Sequence, residues 1–125
     1  MPLTNPLASA IVTDRVRYEI HDISTGAYRW ADAELFRWLN DAVRIVCFRK
    51  PHMYIDSSGL QATGIPIPVP TDVTALTDKI NINPMANSCL THYVCAQAFF
   101  KDNDVQDKEQ AGVHLKLFYE EMALL

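Results

Sequence analysis

The sequence predicts a mainly α fold: one four-helix, bundle-like domain with a small β-hairpin or extended arm inserted between helices two and three. Three observations predict it. Apolar residues recur at helical spacing in four separate tracts, and a stretch rich in proline and glycine divides those tracts into two pairs. The second tract opens on a dense aromatic and acidic segment that fixes where its helix starts. A chain of 125 residues is long enough for one domain around one core and too short for two, so residues 1–125 are read as a single unit.

The first helix is expected over about 7–23. Ala8, Ile11, Val12, Val16, Ile20 and Ile23 form its buried stripe, while Asp14, Arg15, Arg17 and Glu19 project elsewhere. Ser24-Thr25-Gly26 breaks it. The second helix is expected over about 32–49, stopped by Pro51. Its start follows from the tract Tyr28 to Asp41. Glu34 falls in the first turn, near unpaired backbone N–H groups and the positive end of the helix dipole. Trp30 lies just outside, placed to staple onto apolar residues of that turn. Leu35, Leu39, Ala42, Val43 and Val46 give the helix one buried face, and Asn40 stands beside that face as a polar residue in need of a specific partner.

Residues 52–84 change character. Gly59, Gly64, Pro66, Pro68, Pro70 and Pro84 preclude a long helix, and Ile65 to Pro70 alternates apolar residues with proline, which cannot donate within a central strand. An extended β arm is therefore expected over about 53–83, with Tyr54-Ile55 and Lys79 to Ile82 available for pairing. Its apolar residues Leu60, Ile65, Ile67 and Val69 have little use in a solvated loop, which suggests an arm that docks on another subunit. The third helix is expected over about 85–101, apolar on more than one face as a central helix would be. The fourth is expected over about 105–122, with Ala111, Leu115, Phe118 and Met122 inward and Lys116 and Glu120 as an exposed pair.

The tract at the start of helix two resembles a known family, the small bacteriophage virion proteins that act as head-to-tail adaptors, also called connector or head-completion proteins. Their pattern is an Arg-Trp pair, then Ser or Thr, Asp, any residue, Glu, Leu, two further residues and Trp-Leu-Asn. Here it reads Arg29, Trp30, Asp32, Glu34, Leu35, Trp38, Leu39 and Asn40. Ala31 departs from it, standing where the family carries a hydroxyl N-cap; that loss costs about 1 kcal/mol of helix stability unless Asp32 caps one residue later. The segment His92 to Asp102 is also similar, and with the order of elements the resemblance covers most of the chain. It implies a structural virion protein at the head-tail junction, assembled in the host cytoplasm. Such a protein would form a homo-oligomeric ring, twelvefold by the resemblance, bind the portal protein, and offer a docking platform to a tail-side nozzle or tail protein. Genomic DNA would pass through its channel without sequence-specific binding.

Charge and composition bear on the other function classes. The net charge is -4, with seven Arg/Lys against six Asp/Glu in residues 1–50 and four against nine in residues 51–125. A nucleic-acid binder displays a basic stripe, whereas the Arg residues of the first half are interleaved with acids and residues 85–100 contain no Lys or Arg. The alternative function, a small helical DNA-binding or regulatory protein, thus lacks its recognition helix. An acidic channel wall, by contrast, lets DNA slide. The first residues lack a signal-peptide pattern, and no stretch approaches the roughly 18 apolar residues of a membrane span, so no membrane partner is expected.

Chemistry is sparse. Cys47, Cys89 and Cys95, an odd number in apolar tracts, read as buried free thiols. Cys89, His92 and Cys95 sweep about 120° of a helix, an awkward arc for three ligands of one ion, so no metal is expected. A cysteine nucleophile would need an orienting third group and an oxyanion hole, and no glycine-rich turn precedes either cysteine. His21, His52 and His114 read as surface or cap residues. Asp102, Asp104 and Asp107 crowd a turn without the central glycine of a calcium loop. Without a phosphate loop or dinucleotide fingerprint, neither a cofactor nor catalysis is expected.

Overall fold

The structure, a computed structural model, describes residues 3–22, 29–61, 69–101 and 105–125, with only the backbone of residues 105 and 106. It is mainly helical. α1 is a continuous helical rod made of an α turn Ala8–Ile11, a π-helical stretch Val12–Val16 and a closing α turn Arg17–Glu19. α2 spans Asp32–Arg49, α3 Asn87–Phe100 and α4 Val105–Ala123, while 3-10 turns at Pro51–Met53 and Pro84–Ala86 end α2 and lead into α3. α3 is the central helix and packs against α4, α2 and α1.

α1 ends earlier than its sequence suggests. His21 adopts a left-handed backbone (φ 57°), its N–H donates to the Tyr18 carbonyl at 3.2 Å, and the Asp22 N–H donates to Arg17 at 2.8 Å. This crossed pair of bonds ties off the last carbonyls of the helix, so Asp22 starts the return toward α2 instead of continuing a stripe to Ile23. Ile23 lies outside the described residues.

The π-helical stretch corrects a second expectation. Arg17 stands nine residues beyond Ala8, which in an uninterrupted α-helix would put it about 180° from the buried stripe. A π turn takes up one residue more than an α turn and sets everything after it back by about 100°. Arg17 is accordingly turned inward and is 1% exposed.

α2 matches its expected bounds. Leu35, Leu39, Ala42, Val46 and Cys47 are fully buried, with Phe36, Trp38 and Val43 nearly so. Ala31, at the N-cap, makes no side-chain cap. The inward face of α4 is Ala111, His114, Phe118 and Met122, with Leu115 half-buried, and Lys116 and Glu120 form their exposed pair at 3.9 Å.

Among the described residues of 53–83 the expected hairpin is not seen. Among the described residues there is no strand, only isolated antiparallel bridges joining Tyr54 to Ile82, Ile55 to Gln61 and Leu7 to Lys79. Part of this region belongs to the core: Met53, Ile55, Val73, Ile80 and Ile82 are at most 3% exposed. Side chains replace the ladder as the binding element. Asn5 Nδ2 donates to the carbonyls of Asp56 and Ile80, both at 3.0 Å, and Asn81 Oδ1 accepts from Thr71 N–H at 2.9 Å. The N–H groups of Ala8 and Ser9, orphaned at the start of α1, donate to the carbonyls of Asp78 and Leu76. Gly59 needs its φ of +77°, since a Cβ there would sit 1.8 Å from the Leu3 carbonyl oxygen.

Candidate functional site

The junction between α1 and α2 brings the family-like residues together. Arg17, buried by the π turn, reaches Asp22 Oδ2 at 2.7 Å, Asp32 Oδ1 at 2.5 Å and the Trp30 carbonyl at 3.1 Å. Asp22 in turn accepts from the backbone N–H groups of Arg29 (2.7 Å) and Trp30 (3.1 Å). A single buried guanidinium thus fixes the chain end leaving α1 to the chain entering α2. Asp32 serves this network, and the vacancy left by a missing hydroxyl at Ala31 is not filled by a side chain.

The aromatic residues lock the same corner from outside. Trp30 and Trp38 meet edge to face, with centroids 5.5 Å apart at 72°. Arg29 lies over Trp30 at 5.2 Å and Lys101 over Trp38 at 5.8 Å. Trp38 is 9% exposed and Trp30 half-buried; Glu34, on the first turn, pairs with Lys101 at 3.7 Å and so ties α2 to the end of α3.

Asn40 finds the partner its position called for. Its Nδ2 donates to the Val73 carbonyl at 3.1 Å and its Oδ1 accepts the Val73 N–H at 2.9 Å. The side chain imitates a strand neighbour, which is how a segment without a ladder is held on a helix. Asn40→Ala leaves both polar groups of the nearly buried Val73 unpaired and should cost about 2 kcal/mol. Urea denaturation, together with loss of exchange protection at the Val73 amide, checks this; unchanged protection there would mean that other contacts hold the segment.

The ends of the expected arm are described and its middle is not. Leu60 is 52% exposed and Val69 78%, whereas Ile65 and Ile67 lie outside the described residues. Val69 and Pro70 line an open groove of about 550 Å³ with Ile45, Phe48 and Tyr119. Phe48 is 67% exposed there and Tyr119 45%. Arg44 and Arg49 also line it; Arg44 pairs with Asp72, and Arg49 lies 5.8 Å over the Tyr119 ring. This is apolar surface without a partner among the described residues of the chain, bordered by cations.

The residues considered for chemistry are engaged otherwise. All three cysteines are buried and none is in a disulfide. Burial pushes each thiol up to about 12, with Glu121 adding to the effect at Cys89 and Glu19 at Cys95. Protonated thiols of this kind are poor nucleophiles and poor ligands at neutral pH. His92 faces His114 through Nδ1 and Glu121 through Nε2, and Cys89 Sγ donates to the Phe118 carbonyl. Among the described residues no group of three or more His, Cys, Asp or Glu is placed to hold a metal ion. Asp102 and Asp104 lie outside those residues. His114 corrects its reading as a surface residue, being 8% exposed; the signal was its place between Ala111 and Phe118 on the inward face of α4.

No helix among the described residues is long and apolar enough to cross a membrane. Comparison with protein-family models and with curated proteins returned no match.

Proposed function

We propose that this chain is a structural assembly protein of the head-to-tail adaptor kind, without catalytic activity, which forms a ring under a phage portal. In this reading the ring extends the DNA channel and presents a platform to the tail. The observation that carries the reading is the condition of the arm. Both its described ends are more than half exposed and apolar, and one of them, Val69, opens onto the groove with Phe48 and Tyr119. Such surface is costly in an isolated domain and useful in an assembled one. The family-like residues support the reading in a second way, since they serve the fold: Arg29, Trp30, Asp32, Glu34 and Trp38 brace the α1–α2 corner, Leu35 and Leu39 lie in the core and Asn40 holds the Val73 segment, leaving the periphery for contacts.

The arm of the proposed protein, Leu60 with Ile65, Ile67 and Val69, is then the intersubunit element. Its alternate prolines pre-extend the sequence, so ordering it on a neighbour costs less backbone entropy than ordering a flexible loop. Deleting residues 61–69 and bridging the gap with glycines should leave a folded helical monomer that no longer forms rings or caps portals. Sedimentation of the intact protein, alone and mixed with portal, sets the reference, and electron microscopy of the deletion variant reads the outcome. Normal rings from the deletion would remove the arm as the contact. An intact chain that neither self-assembles nor binds portal would remove the adaptor function itself.

A further inference from the structure

Two imidazoles meet between α3 and α4, at a place that the proposed assembly role does not use. His92 Nδ1 and His114 Nδ1 are 2.9 Å apart, and the Phe99 ring stacks on His114 at 5.6 Å and 15°. His92 Nε2 lies 3.5 Å from Glu121 Oε1, which also accepts from Ser88 Oγ at 3.2 Å. Other charged groups face the pair from two sides. From α1 and its end, Glu19 borders the openings beside both imidazoles, with Asp14 and Arg15 near His92 and His21 near His114. From α4, Asp107 and Glu109 border the opening at His114.

Two ring nitrogens at this separation form a hydrogen bond only when one carries a proton and the other a lone pair. That condition is met when both rings are neutral. It is still met after one proton is added to either ring. A second proton turns both Nδ1 atoms into donors and sets two positive rings against each other. The pair therefore has a closed form with at most one charge and no closed form with two.

We propose that the His92–His114 pair is an acid-operated clasp, which holds α4 on α3 near neutral pH and releases it on uptake of a second proton. The direction of titration agrees with the geometry. Burial first, and then the neighbouring imidazole, holds His114 below its ordinary value of 6.5, with Glu19 opposing. A base whose folded value is depressed takes up protons more readily when unfolded or released. Its contribution is complete above 6.5 and is lost as pH falls from there through its folded value. Release is thus expected on mild acidification.

Two buried thiols make the opening measurable in the full chain. Cys89 lies beneath α4, its Sγ 3.5 Å from the Phe118 carbonyl, while Cys47 lies on α2 against the Asn81 carbonyl at 3.9 Å and serves as an internal reference. A pyridyl disulfide, which stays reactive in acid, would label the two, with the ratio read by peptide mass spectrometry. The Cys89-to-Cys47 labelling ratio should rise severalfold as pH falls from about 8 to about 5. It should stay flat in His114→Gln and rise less steeply in His92→Gln, which keeps the burial of His114 but cannot reach the doubly charged state. His92 is 19% exposed, so its variant provides the test even if the one at the more buried His114 does not fold. A flat ratio in the natural chain overturns the clasp, as does a rise in the His92 variant as steep as that of the natural chain.

Discussion

Arg17→Ala should destabilise the domain by about 3–5 kcal/mol, a large share of the stability of a chain this size. The cause lies in what remains. Asp22, with its side chain 8% exposed, would keep a buried carboxylate whose guanidinium partner at 2.7 Å is gone, and the Trp30 carbonyl would lose its donor. Urea denaturation measures the loss as a lower midpoint at constant slope. Arg44→Ala is the control, because its partners Asp41 and Asp72 are about half exposed and water screens them; it should move stability by about 0.5 kcal/mol or less. Equal effects of the two substitutions would show that the α1–α2 junction does not depend on its buried cation.

Trp38→Ala should cost a similar about 3–5 kcal/mol by leaving a cavity where the indole packs against Trp30 and the Leu35–Leu39 face. A fall of more than about 10 °C in melting temperature is expected. Trp30 then becomes the sole tryptophan, so its fluorescence reports whether the corner has opened. A melting temperature that does not move would make the aromatic pair a surface ornament and would weaken the case for the family-like corner as scaffolding.

These two residues differ in how plainly the sequence shows them. Trp38 was legible because local rules agree around it: Leu35, Leu39, Ala42, Val43 and Val46 repeat at helical spacing, and Pro51 marks the stop. Asn40 was legible as a polar residue at the edge of an apolar face, though Val73 as its partner is set by tertiary packing. Arg17 was hidden, since its burial depends on a π turn that hydrophobic spacing does not encode. Residues 71–83 read in the sequence as part of an arm because Pro70 and Pro84 bound them and Lys79 to Ile82 offers a short run for pairing, yet they are held by single side chains from elsewhere, Asn5 and Asn40 among them. His92 and His114 each look solitary, being 22 positions apart, and only the packing of α3 on α4 makes them a pair.

The π-helical stretch of α1 also determines which kinds of change this protein can absorb over generations. Residues ahead of Val12 and residues behind Val16 lie on faces offset by one position. A point substitution on the outer side of α1 leaves that offset alone. Loss of any single residue from 12–16 would remove the extra residue that the π turn takes up, so an ordinary α-helix would result with the guanidinium still turned inward; straightening without that loss would instead rotate it toward water and away from the two aspartates. Those five positions can therefore absorb the loss of one residue, and related chains should include some in which a plain α-helix, one residue shorter there, presents the same arginine to the same two aspartates.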